Sequence, residues 1–135
     1  MSVSTLTIGK LAASAGVGVE TVRFYERKGL IEQPPRPPRG FRSYSEEALR
    51  QLNFIRQARG LGFGLEEIRG LLTFRDDPEA TQRDVRKQTS QKIDEIDRRL
   101  AALEEMKTAL EGLLESCTGD GPAANCPILD ALEVP

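Results

Sequence analysis

Residues 6–30 read LTIGKLAASAGVGVETVRFYERKGL, and the way this stretch divides decides the fold. Thr7 is a helix-capping residue, and the pattern after it predicts a first helix over roughly Ile8 to Ala15. Gly16 breaks that helix, and a second is predicted from about Val19 to Lys28. Two short helices joined by a tight glycine turn make a helix-turn-helix. Val19 and Val22 fall one helical turn apart and are expected to face a core, with Glu20, Thr21, Arg23, Phe24 and Arg27 outside. Arg23, Arg27 and Lys28 then form a cationic strip that suits a DNA major groove, where arginine pairs with guanine or clamps phosphate.

Beyond this stretch comes EQPPRPPRGFRSY, in which Pro34, Pro35, Pro37 and Pro38 exclude helix, because proline lacks an N–H and fixes φ. Gly40 offers a turn, and Phe41 and Tyr44 suit short strands, so a two-stranded wing carrying Arg36, Arg39 and Arg42 is expected. Those arginines would track a DNA backbone beside the groove, which positions a protein without reading bases. Ser45 is expected to start a third helix, with Leu49, Leu52 and Ile55 inward. GLGFG ends it, a shorter fourth helix spans Leu65 to Leu72, and FRDDPEA is a boundary.

From about Thr81 to Ser116 the chain has no proline and a single glycine, Gly112. Ile93, Ile96, Leu100, Leu103, Leu110 and Leu114 recur at intervals of three and four, with Lys107 interrupting and Met106 partly covering for it. At 1.5 Å per residue such a helix is about 50 Å long, too long to bury its stripe within so small a chain. It needs a partner helix, so a homodimer about a two-fold axis is expected. The charge is divided to match. Residues 1–75 hold 12 Lys and Arg against 7 Asp and Glu, a net of +5, while residues 76–135 hold 7 against 14, a net of −7. Only the first part is suited to a polyanion.

The only cysteines, Cys117 and Cys126, close this region, and the chain has no histidine. Cys117 continues the apolar stripe three residues beyond Leu114. Cys126 precedes Pro127, and proline is favoured at the first position of a helix, so PILDALE is expected to be helical with Cys126 as its cap. The dipole and free N–H groups there favour a thiolate. Between the cysteines, TGDGPAAN supplies the glycines that let two sulfurs meet. A thiolate pair without histidine suits Cu(I), Ag(I), Au(I) or Hg(II). Zn(II), Cd(II) or Pb(II) would need further ligands. A reversible disulfide, responding to oxidant rather than metal, is the alternative use of the pair.

Other classes fall away. There is no histidine for a Ser–His or Cys–His pair, no phosphate-cradling glycine motif and no obvious carboxylate pocket, so no enzyme is expected. No apolar run is long enough to span a bilayer, and the N-terminus does not resemble a signal peptide, so a cytoplasmic location with reduced thiols is expected.

LTIGKLAASAGVGVETVRFYERKGL, followed by RGFRSYSEEALRQLNFIRQARGLGFGLEEIRGLL, resembles the MerR family of bacterial transcription regulators. The resemblance implies a mainly α architecture. A winged helix-turn-helix DNA-binding domain (1–75) leads to a long antiparallel coiled-coil dimerisation helix (76–116), then a metal-binding loop and short helix (117–135). It implies a dimer on double-stranded promoter DNA that, on binding inducer, bends and untwists an over-long spacer so that RNA polymerase engages both promoter elements. Position by position, Arg23 and Phe24 fall where the recognition helix of the family touches DNA, with Tyr25 following in the same motif, although its spacing from Val22 also fits a core role. Arg42 and Tyr44 match wing contacts, and Arg56 matches a backbone contact on the next helix.

Cys117 and Cys126, with eight residues between them, match the metal loop of the family's metal sensors. That spacing resembles the branch sensing divalent mercury, zinc, cadmium or lead, which adds a third cysteine from the other subunit at the start of the dimerisation helix. Gln82 stands at that position here. The monovalent branch has a loop one residue shorter and a serine at that point. A drug-sensing member would need a large ligand domain, and only 19 residues follow Ser116.

Overall fold

A computed structural model describes residues 6–135, which form two compact units, one ending at Val85 and the other spanning Arg86–Pro135. The first unit is helical. Helix α1 (Ile8–Ala15) is capped by Thr7, whose hydroxyl accepts from the Lys10 N–H at 3.2 Å. It ends at Gly16, whose φ of 70° is the left-handed conformation that a Cβ disfavours. After Gly18 comes α2 (Val19–Arg27), which closes at Gly29, again at positive φ, with the Leu30 N–H returning to the Tyr25 carbonyl at 2.9 Å. Helix α3 (Glu46–Gly60) begins under Ser45, whose Oγ accepts from the Ala48 N–H at 3.2 Å, with Glu46 and Glu47 at its positive end.

Helix α4 (Leu65–Asp76) starts after Gly64, whose N–H donates to Glu67 at 2.8 Å. It runs one turn beyond the predicted Leu72, because nothing after Leu72 opposes helix until Pro78. The residue before a proline is disfavoured in the α region, and Asp77 is extended at φ −92°, ψ 113°.

Helix α1 packs on α2 and α3, and α3 on α4. Between them Leu11, Val22, Ile31, Leu52, Ile55 and Ile68 are fully buried, and Leu49 and Val19 pack against that core from its edge. Each fully buried aliphatic side chain of this kind contributes about 1.5–3 kcal/mol.

The wing departs from expectation. Among the described residues there is no two-stranded hairpin; the only β pairing is a single antiparallel bridge between Leu6 and Tyr44. The two residues exchange backbone hydrogen bonds of 2.7 and 3.2 Å. The four prolines explain the difference, since none can donate to a ladder and their φ is fixed. The segment is therefore irregular and anchored at its far end.

The second unit is dominated by α5 (Gln82–Glu115), 34 residues and about 51 Å of helix. Its start is closed reciprocally: Thr81 N–H donates to Asp84 at 2.8 Å, and Asp84 N–H to the Thr81 hydroxyl at 3.4 Å. Ile93, Ile96, Leu100, Leu103, Met106, Leu110 and Leu114 are all exposed, an apolar stripe of this chain left open to solvent. Lys92 is buried and pairs with Glu95 at 2.6 Å; Glu95 also takes Arg99 at 2.8 Å. A single 3₁₀ turn (Ala123–Asn125) leads into α6 (Pro127–Leu132). No helix among the described residues is long and apolar enough to cross a membrane.

Candidate nucleic-acid interface and thiol pair

The outer face of α2 carries Arg23 and Arg27, both exposed, with Arg23 only loosely paired to Glu20 at 3.8 Å. Lys28 lies over the Phe24 ring, its Nζ 5.6 Å from the centroid. Phe24 itself is half-buried and tilted against Tyr25, with ring centroids 5.6 Å apart, so it turns further inward than its helical position suggested. Tyr25 is buried in the core.

Between α2 and the wing lies an open cleft of about 500 Å³, lined by Arg23, Arg27, Arg36 and Arg42 together with Glu26 and Phe41. Arg42 is fixed by its Nε, which donates to the Pro34 carbonyl at 3.0 Å. Arg39 is exposed but does not line the cleft. Arg56, exposed on α3, brings its guanidinium carbon to 3.8 Å from where a Cβ on Gly16 would stand, which sets it beside the helix-turn-helix turn.

Tyr44 is buried, 3% exposed, and its hydroxyl donates to Glu26 at 2.9 Å. Burial, reinforced by that carboxylate, pushes its pKa up to about 12. Phe41 is the opposite case: 83% exposed, following Gly40 at positive φ. Sequence reasoning used Phe41 only as a strand former and did not single out Glu26. An acid inside a run of arginines was the available signal for the latter.

The other candidate site is the thiol pair. Cys117 and Cys126 are both reduced and half-buried, with their sulfurs 3.7 Å apart. Gly119 and Gly121, both at positive φ, supply the reversal that the intervening loop requires. Cys126 occupies the N-cap of α6 with Pro127 at the first helical position. It makes no side-chain capping hydrogen bond, yet the Leu129 and then the Ile128 amides aimed at the sulfur hold its thiol below its usual pKa, against desolvation. A metal–sulfur bond of about 2.3 Å and this separation correspond to an angle near 107°, that of two adjacent corners of a tetrahedron. A collinear pair needs the sulfurs about 0.9 Å farther apart, a small movement for an eight-residue loop with two glycine hinges. Among the described residues no third cysteine or carboxylate gathers with the pair. Gln82 is the exposed first residue of α5.

Residues 6–74 match the model of the MerR HTH family regulatory protein, and residues 49–113 match the MerR DNA-binding model. The chain belongs to the MerR family. It is 41% identical to the HTH-type transcriptional regulator CueR of Salmonella typhimurium (strain LT2) over 94% of its own length and 91% of that protein. It is also 41% identical to the mercuric resistance operon regulatory protein of Bacillus cereus, over 93% of this chain and 95% of that one. The solved structure of the regulator PbrR691 from Ralstonia metallidurans CH34, in complex with lead(II), superposes with a TM-score of 0.85 at 36% identity, covering 94% of this chain and 98% of that one. Membership makes this protein a DNA-binding transcription regulator rather than an enzyme. The helix-turn-helix of α1 and α2 and the long α5 are the MerR-type architecture.

Proposed function

We propose that this MerR-family regulator senses a thiophilic metal ion through Cys117 and Cys126 and converts its binding into distortion of promoter DNA. The observation that carries the reading is the reduced pair, sulfurs 3.7 Å apart, one of them acidified by a helix start. Relatives named for mercury resistance or solved with lead(II) support it. A monovalent ion of the copper type, or Hg(II), is favoured, because two thiolates satisfy either and no third ligand from the described residues joins them. The chelate-like separation favours a second reading: a divalent zinc, cadmium or lead ion completed by a non-cysteine ligand of the partner near Gln82.

In this reading residues 1–75 form the DNA-binding head, 76–116 the dimerisation helix and 117–135 the sensor loop. The exposed stripe of α5 supports an antiparallel coiled-coil dimer, which presents two heads to a palindromic promoter in the cytoplasm. Arg23 and Arg27 enter the groove, Arg39 and Arg42 follow the backbone from the wing, and Arg56 braces the far side. Phe24, Tyr25 and Tyr44 hold those cations in place from behind. The metal-bound dimer prefers the state that bends and untwists the spacer, and RNA polymerase then engages both promoter elements.

The test is metal competition on reduced protein, with Cu(I), Ag(I), Hg(II) and Zn(II) under thiol buffering, beside Cys117→Ser. Selective Cu(I), Ag(I) or Hg(II) uptake, lost in the variant, is the expected result. Preference for Zn(II) selects the second reading. Uptake of none of them overturns metal sensing and turns the pair to thiol–disulfide switching.

A further inference from the structure

Glu26 is an acid on a face built from arginines. It lies on α2 at the wall of the cleft that Arg23, Arg27, Arg36 and Arg42 also line. Phosphate repels a carboxylate there, so on electrostatic grounds alone its removal would strengthen DNA binding. Its surroundings describe another role. One oxygen accepts the Tyr44 hydroxyl at 2.9 Å. The other is buried and, among the described residues, has no hydrogen-bond partner. A carboxylate oxygen withdrawn from water without a partner is costly, so the side chain is held by its environment.

Tyr44 in turn is tied by its backbone to Leu6 at 2.7 and 3.2 Å, and its phenol, with a pKa of about 12, remains a donor throughout the physiological range. Arg42 lies two residues before it and reaches back to Pro34. Among the described residues the wing has no β ladder to set its position, so the Glu26–Tyr44 bond is a side-chain link from the reading helix to the base of the wing. Both carboxylate oxygens face inward, which also argues against Glu26 as a reader of cytosine amines.

We propose that Glu26 is a positioning residue that fixes the wing arginines relative to the recognition helix through the Tyr44 hydroxyl. The inference uses the DNA-binding activity of the family and is independent of the metal reading.

The test measures binding to a short duplex, selected by the wild-type protein from a random-sequence pool, over a series of salt concentrations. Glu26→Ala, Tyr44→Phe and the double variant are compared, with circular dichroism to establish that each is folded. Glu26→Ala is expected to weaken binding about tenfold despite removing a negative charge, and to lower the salt slope by about one or two as wing phosphate contacts are lost. Tyr44→Phe is expected to do the same, and the double variant to be no worse than either single one. Glu26→Gln keeps an acceptor for the hydroxyl and restores most of the slope, which also covers the case in which Glu26→Ala does not fold. Tighter binding by Glu26→Ala, additive losses with an unchanged slope, or loss of discrimination at one base position with an unchanged slope would each overturn the proposal.

Discussion

Leu103→Ala tests the proposed coiled-coil dimer most directly, because its magnitude follows from one number in the structure. Leu103 is 59% exposed on α5, within the stripe that includes Leu100, Met106 and Leu110. The substitution removes three carbons, worth about 2.4 kcal/mol when fully buried, at about 0.8 kcal/mol each. With 59% of the residue still open, about 1.4 kcal/mol of that remains to be gained on association. A two-fold axis counts the loss twice, giving about 2.8 kcal/mol, or about a hundredfold in dissociation constant. Alanine is the better helix former, so the helix of a single chain is not weakened and the loss is read on association alone. Sedimentation velocity of fluorescently labelled protein over a dilution series measures it, with Glu104→Ala on the neighbouring face as the control. An unchanged dissociation constant for Leu103→Ala would refute the interface, as would a wild-type protein that stays monomeric at micromolar concentration.

Gly16→Ala asks whether the helix-turn-helix turn depends on backbone freedom. At φ 70° a Cβ meets Arg56 only at 3.8 Å, an ordinary contact, so the cost is conformational and about 1–2 kcal/mol in urea unfolding. No loss would contradict the left-handed turn, and a far larger one would mean a clash. Tyr44 supplies a pH dependence. Its folded pKa of about 12 lies above the unfolded value of about 10, so the fold favours the protonated phenol. That contribution, at most about 2–3 kcal/mol, is fully present below about pH 10 and is lost as pH rises from there toward 12. The stability difference between wild type and Tyr44→Phe, measured by urea unfolding from pH 8 upward, should shrink across that window. A difference that stays constant would show that the phenol is not the titrating group.

What the amino-acid sequence determined alone is what neighbours in the chain decide. Thr7 and Ser45 cap the helices they precede, Gly16 ends α1, Pro127 opens α6, and the three-and-four spacing from Ile93 to Leu114 draws one stripe down α5. Each is an interaction within a turn or two of helix, so periodicity and cap chemistry carry it without knowledge of the fold. The cysteine loop was legible for the same reason, since eight residues with two glycines and a helix start limit where two sulfurs can go.

The tertiary structure decided which faces are inside and what meets across long separations. Phe24 and Tyr25 share a helix with Arg23 and Arg27, yet the second is in the core and the first is half-buried against it, because that side of α2 faces the packed cluster. Tyr44 looked like a wing strand residue open to DNA; instead it is buried and bonded to Glu26, 18 residues earlier. The path between them runs through a proline segment with no period, so local pattern carries no information about where it returns. The wing strands failed on the same point, since aromatic residues at strand spacing cannot form a ladder beside a segment that lacks the donors.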